Sequence, residues 1–247
     1  METEQEQPKL TEGFDCKAEE RLSEQTVQNG GSGLVSFAKY VSAIFSPLLM
    51  PTYCLALGMW LTVINHNPEN TRLTVSFVIL LITGLIPLAM ILGLIKAGYV
   101  TDLEISNRRQ RLIPIIATAL CYIAATIYLH RMKAPDWMVM IFIGAFVAGV
   151  ICAVISNWWK ISAHGCAAGA MFGLLARFAF SDISVVPILP WLIGAVILGG
   201  IIGVSRVALN YHTPGQFIAG EIVGAACIFL ATGLPIPFVS EHYMPLY

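Results

Sequence analysis

Charged residues are scarce in this sequence. Only 12% of its 247 residues are Asp, Glu, Lys or Arg, whereas 57% are hydrophobic, and the mean hydropathy is +0.74. Soluble domains carry about 25% charged residues, and half of that charge cannot solvate the surface of a globule of this size. The scarcity excludes an ordinary soluble protein and predicts a multi-pass integral membrane protein. We expect it in the plasma (inner) membrane of a bacterium.

Three further absences exclude or disfavour whole classes of function. There is no basic stripe to neutralise a phosphate backbone, so we expect no nucleic-acid partner. The six cysteines form no CxxC pair and no zinc-ligand spacing, so we interpret them as small buried residues. Asp102 and Glu104 do not make the paired, repeated aspartate motifs that hold Mg²⁺-diphosphate, which disfavours a prenyltransferase.

The few charges are unevenly placed. Eight of the 15 acidic residues lie within the first 24 positions, and only four lie between Leu112 and Tyr247. A stretch so rich in Glu, Gln and Ser cannot bury enough apolar surface to offset its ordering entropy. We therefore predict a disordered acidic tail over 1–33 and a membrane domain over 34–247.

Apolar runs divide the membrane domain into candidate spans. A spanning helix needs about 20 apolar residues. The first run contains Pro47 and Pro51, so either an interfacial helix over 34–46 precedes a span over 48–64, or one long helix is kinked. The pattern predicts an all-α, polytopic transmembrane helical bundle of six to seven spanning segments. The candidate segments are 34–64, 73–96, 112–130, 137–157, 163–180, 184–204 and 214–235.

Three polar connections are predicted to share one membrane face. The stretches 97–111, 158–162 and 205–213 follow the second, fourth and sixth segments, and alternating spans bring all three to the same side. Most polar residues outside the tail lie in or beside them. Polar groups at membrane depth indicate function by default, so this convergence makes the chain a candidate enzyme. Which side of the membrane carries that face stays open.

Two of the five histidines stand apart from the others. His164 and His212 each adjoin an apolar helix, close to a serine and a basic residue. A lone histidine at a helix end is usually structural, whereas two on one face favour a functional pair. Imidazole acts as either base or acid near neutral pH.

These residues resemble a known pattern. The stretch SRVALNYHTPGQ, residues 205–216, is similar to the third motif of the type 2 phosphatidic acid phosphatase (PAP2) superfamily, SR-x5-H-x3-D, with Gln216 at the place of the final Asp. KISAHG, residues 160–165, resembles the second motif, PSGH. NRRQRLIP, residues 107–114, is loosely similar to the first, K-x6-RP. The resemblance implies a PAP2-like core over about 96–235.

The resemblance also implies a chemistry. It implies a membrane lipid phosphatase that hydrolyses a lipid phosphate or diphosphate monoester through a phosphohistidine, with no metal or other cofactor. His212 would be the nucleophile, Gln216 its orienting partner and His164 the acid that protonates the leaving alcohol. A phosphoryl group in transfer spreads negative charge over three oxygens, so fixed cationic donors stabilise it. The predicted phosphate-binding residues are Arg206, Ser162, Lys160, Arg111, Arg109 and Arg108.

Gln216, which stands at the place of the motif's final Asp, keeps other functions open. Gln216 can accept a hydrogen bond from the histidine ring but brings no charge, and a comparable Asp-to-Asn change in a serine-protease triad costs roughly 10⁴ in rate. Glu221, five residues on, is a weak substitute on helical geometry. The alternatives are a weak or inactive PAP2-like protein that binds a phospholipid or anion, and a lipid transporter. The expected partners are a lipid phosphate substrate and membrane lipids.

Overall fold

Eight α-helices make up most of residues 32–100 and 112–234, which are the residues that the computed structural model describes. No strand occurs in these two ranges. The third helix contains one π-helical turn, Leu81–Leu85. The helices are α1 (Ser32–Ile44), α2 (Met50–Leu61), α3 (Glu69–Lys96), α4 (Leu112–Arg131), α5 (Asp136–Ile155), α6 (Ala163–Ala179), α7 (Leu189–Ala208) and α8 (Pro214–Ala231).

The predicted all-α membrane bundle is confirmed. In the described ranges, α3, α4, α5, α7 and α8 are long and apolar enough to cross a membrane. The predicted number of six to seven spans is therefore approximate, because α6 has only 17 residues and α1 and α2 are shorter still. Most of the tail predicted over 1–33 lies outside the described residues, and α1 begins at Ser32.

The first apolar run forms two separate helices. α1 ends at Ile44 and α2 begins at Met50, with Pro47 in the turn between them. Pro51 lies in the first turn of α2, where its missing N–H leaves no intrahelical hydrogen bond unmade. Of the two alternatives open from the sequence, the single kinked helix is wrong.

The sixth predicted segment, 184–204, is displaced along the chain. Its first residues are extended, because Val63 N–H donates to the Ile183 carbonyl and Val185 N–H donates to the Leu61 carbonyl, each at 2.9 Å. The helix begins at Leu189 and continues to Ala208. Ser205 and Arg206 therefore belong to the last turn of α7 and not to a connecting loop.

The apolar core is centred on the start of α5. Six consecutive residues from Trp137 to Phe142 are buried, which is the pattern of a helix enclosed on all sides. The Trp137 ring packs edge-on against Phe178 of α6, with their centroids 5.1 Å apart. In contrast, large apolar side chains on the outer helices are exposed, as expected where lipid covers them. Leu120, Val204, Ile222 and Leu230 are examples.

Candidate active site

The site is built on two parallel helices whose backbones touch. A Cβ atom placed on Gly165 would lie 2.3 Å from the Phe217 carbonyl oxygen. The same test on Gly169 meets the Glu221 carbonyl oxygen at 2.0 Å, and on Gly173 the Ala225 carbonyl oxygen at 2.4 Å. Each step of four residues along α6 matches a step of four along α8, so the two helices run in the same direction. Small residues permit this close approach.

Parallel packing brings both helix N-termini to one end of the bundle. The Ser162 N–H donates to the Gln216 carbonyl oxygen at 3.1 Å, which joins the second motif directly to the third. Ser162 also caps α6, because its hydroxyl oxygen accepts from Gly165 N–H at 3.1 Å. Thr213 caps α8 in a reciprocal capping box with Gln216. The N-terminus of a helix favours anions, and two of them converge here.

Gln216 sets the tautomer of His212. The Thr213 N–H donates to Gln216 Oε1 at 3.2 Å, and His212 Nδ1 lies 3.3 Å from the same oxygen. A backbone N–H can only donate, so the shared atom is the amide oxygen, an acceptor for a proton on His212 Nδ1. A neutral ring that donates from Nδ1 has its lone pair on Nε2. This is the nitrogen that a nucleophilic histidine needs.

The environment of His212 favours its neutral form. Burial, the largest cause, acts with the positive charges of Arg206 and Lys160 to lower the pKa of the ring from 6.5 to about 4, although hydrogen bonds to Gln216 and to the Lys160 backbone oppose the change. A carboxylate in place of Gln216 would have raised the pKa instead. His212 is therefore an unprotonated base throughout the neutral range.

Arg206 is held against an aromatic ring. Its side chain is 2% exposed, and its guanidinium carbon lies 4.4 Å from the centroid of Tyr211. The chain reaches Tyr211 by leaving α7 at Asn210, whose φ of 55° is left-handed, and the Tyr211 N–H then donates to the Arg206 carbonyl oxygen at 3.1 Å. This cation–π contact orients the guanidinium. The motif spacing did not indicate a role for Tyr211.

The His164 ring makes its hydrogen bond to α1. It is 8% exposed and lies in the first turn of α6, and its Nε2 is 3.0 Å from the Ser42 carbonyl oxygen. Ser42 is in the last turn of α1, where carbonyl groups have no intrahelical donor. The carbonyl can only accept, so His164 Nε2 carries the proton and supplies that donor. Nothing in the motif spacing indicated this contact between residues so distant in the chain.

The other described residues considered for the site lie at various distances from His212. Lys160 lies close enough to His212 to lower the pKa of its ring. Ser162 is fully buried, and its described role is to cap α6. The Glu221 carboxylate faces Gly199 of α7, with Oε1 2.6 Å from a Cβ placed there, so it does not take the place of the missing Asp. Arg108, Arg109 and Arg111 lie outside the described residues.

One cavity of about 660 Å³ connects these groups. His164, Arg206, Tyr211 and His212 all line it. The rest of its wall is largely apolar and comes from α1 to α6, with residues such as Leu48, Ile91, Ile115, Tyr122 and Phe146. Within 32–100 and 112–234, no three His, Cys, Asp or Glu side chains lie together as metal ligands would. The arrangement suits an amphiphile with an anionic head.

The fold and the cavity define a helical membrane protein in which two histidines and a buried arginine line one cavity. Residues 156–236 match the family model of the PAP2 superfamily, so the protein carries a PAP2 superfamily domain. The match spans the second and third motifs and confirms the resemblance predicted from them. No curated protein and no solved structure gave a match.

Proposed function

We propose that this protein is a membrane lipid phosphatase that hydrolyses a lipid phosphate or diphosphate monoester through a phosphohistidine. One observation carries the proposal: a single cavity combines His212, in the tautomer a nucleophile needs, with Arg206, His164 and a long apolar wall. The phosphate head would meet the histidines and the arginine, and the acyl or prenyl tail would lie along the apolar residues. The membrane concerned would be the plasma (inner) membrane of a bacterium.

The reaction has two steps. His212 Nε2 attacks phosphorus, the bond between phosphorus and the lipid oxygen breaks, and His164 gives a proton to the leaving oxygen. His164 then takes a proton from water, the resulting hydroxide oxygen attacks phosphorus, and the bond between phosphorus and nitrogen breaks to release phosphate and free His212. Splitting the transfer in this way is ordinary nucleophilic catalysis.

Cationic residues would stabilise the charge that develops on the phosphoryl oxygens. Arg206 provides a planar donor that its contact with Tyr211 holds in place, and Lys160 adds a point charge next to the nucleophile. Ser162, Arg108, Arg109 and Arg111 remain candidates for the same role. Fixed donors aimed at developing charge are usually the largest contribution to such catalysis.

The experiment is phosphate release from a panel of lipid phosphates in detergent. Wild type is compared with His212→Ala, His164→Ala and His130→Ala; the last removes an exposed histidine outside the cavity and is the matched control. We expect release by wild type and by His130→Ala, none from His212→Ala, and strongly reduced release from His164→Ala. Activity that survives His212→Ala would overturn the nucleophile assignment.

Gln216 favours a second candidate function, an inactive PAP2-like protein that binds a phospholipid or anion. Its amide brings no charge to balance a positive His212 during reaction, so the chemical step would be slow. The two functions separate in one experiment. Saturable binding of a lipid phosphate without phosphate release from any substrate would establish the binding protein and exclude the enzyme.

A further inference from the structure

One face of α1 lines the cavity of the active site. Lys39, Ser42, Ala43 and Ser46 contribute to its wall. The first three are spaced by three and four residues along a helix, so they lie on one side of it. α1 lies outside residues 156–236, which match the PAP2 superfamily. The N-terminal helix therefore adds polar groups to a site that the two motifs alone do not describe.

Ser42 has an unused hydroxyl. Its side chain is only 5% exposed, and within the described residues its Oγ has no hydrogen-bond partner. A serine in a helix normally satisfies its hydroxyl by bonding a carbonyl one turn earlier, as Ser205 does with Ile201 at 2.8 Å. A buried hydroxyl without a partner is costly. Ser42 lines the cavity, so a ligand bound there can reach this position.

The backbone of Ser42 already belongs to the site. Its carbonyl oxygen accepts from His164 Nε2 at 3.0 Å, so the hydroxyl of the same residue is close to that histidine. Lys39 lies one turn earlier on the same face and is exposed. An ammonium group at the end of a flexible stem can follow an anion into the cavity.

We propose that Lys39 and Ser42 bind the phosphate group of the ligand, with the Ser42 hydroxyl donating to a phosphoryl oxygen and Lys39 neutralising its charge. This inference rests on the proposed function only in placing a phosphate head beside His164, Arg206 and His212. It holds equally for a lipid that is hydrolysed and for one that is merely bound. It also assigns α1 a part in ligand recognition.

The test measures binding separately from turnover. Dissociation constants for inorganic phosphate and for a short-chain phosphatidic acid are measured by calorimetry in detergent, in a His212→Ala background that prevents hydrolysis. Ser42→Ala and Lys39→Gln are expected to weaken the binding of both probes about tenfold, the effect of one hydrogen bond to a charged group. Ser42→Thr, which keeps the hydroxyl, should bind more tightly than Ser42→Ala.

Matched controls use the same substitutions elsewhere. Ser36→Ala changes an exposed serine of α1, and Lys133→Gln changes an exposed lysine in the turn after α4; neither residue lines the cavity. Both should leave the dissociation constants unchanged. In the otherwise wild-type enzyme, Ser42→Ala and Lys39→Gln should raise KM more than they lower kcat.

The outcomes separate this inference from the proposed function. If wild type releases no phosphate and the Ser42→Ala and Lys39→Gln variants bind both probes more weakly, the inference is supported and the phosphatase is refuted. Unchanged binding by Ser42→Ala and Lys39→Gln in a protein that does release phosphate would refute the inference and leave the phosphatase standing. Weaker binding of the lipid alone would mean that the variants act on the tail, and would also overturn the inference.

Discussion

His164 and His212 lie at the N-termini of two parallel helices, yet their rings meet different groups. His164 is almost fully buried and donates to a backbone carbonyl of α1. His212 is partly exposed, donates to the neutral amide of Gln216 and lies near two cations. The His164 ring donates to a carbonyl at the C-terminal end of α1, and the His212 ring is kept neutral by burial and by its cationic neighbours. In the proposed mechanism the first ring is the acid and the second is the nucleophile.

The first prediction uses the leaving group to separate the two histidines. His212→Ala should abolish phosphate release from every substrate. His164→Ala should lower kcat on an alkyl lipid phosphate by about 10²–10⁴, the usual contribution of a general acid. On a nitrophenyl phosphate ester, whose leaving group needs no proton, the initial burst of nitrophenolate that reports phosphorylation of His212 should stay within about tenfold of wild type. Later turnover should fall on both substrates, because His164 also takes the proton from water. Equal losses in the first step on both substrates would contradict the assignment of His164 as the acid.

The second prediction restores the carboxylate beside His212. Gln216→Asp should raise the pKa of His212, because an adjacent negative charge favours the protonated ring. The rate should increase by at least about tenfold, since an Asp in this position stabilises the positive ring that forms during reaction. The measurement is kcat/KM as a function of pH, with Gln216→Asn as the uncharged control. A rate no higher than that of wild type would show that the missing charge is not limiting.

The same pH profile tests the protonation state of His212 in wild type. In the proposed mechanism neutral His212 is the active form, so activity should persist as the pH falls and be lost only near the ring pKa of about 4. Gln216→Asp should move this acid limb to higher pH. An acid limb near pH 6.5 in wild type would contradict the neutral state assigned to His212.

The third prediction breaks the contact between α6 and α8 that brings the two histidines together. A Cβ on Gly224 would lie 1.8 Å from the Cys166 carbonyl oxygen, whereas nothing lies within 4 Å of one on Gly194. Gly224→Ala should therefore destabilise the protein by about 1–3 kcal/mol, the usual cost of overpacking. Gly194→Ala is the control. Thermal unfolding in detergent measures both, and equal stabilities would contradict the close packing.

Much of the site could be predicted because its parts are local in sequence. The resemblance to the third motif pairs His212 with Gln216, four residues on, and the second motif keeps Ser162 beside His164, so short motifs indicate these residues. The hydrogen bond from His164 to Ser42 joins residues 122 positions apart, so no local sequence pattern could predict it. Ser205 and Arg206 were assigned to a loop because the polar pair interrupts an apolar run, although Val207 and Ala208 extend the helix beyond them.

The smallest predicted effect concerns Tyr211. Replacing its ring by Leu removes the cation–π contact with Arg206, whose carbon lies 4.4 Å from the ring centroid. Such contacts contribute about 0.5–2 kcal/mol, so phosphate binding should weaken by a few-fold up to about thirtyfold. Tyr211→Phe keeps the ring and is the control. Equal binding by the Leu and Phe variants would show that the ring does not position Arg206.

The most direct test of the account is to trap the covalent intermediate. Wild-type enzyme is mixed with a radiolabelled lipid phosphate, quenched within milliseconds and digested, and the labelled peptide is sequenced by mass spectrometry. The account predicts an acid-labile, alkali-stable phosphoryl group on His212 that disappears in His212→Ala. Turnover with the label on another residue, or turnover with inversion of configuration at phosphorus, would contradict it.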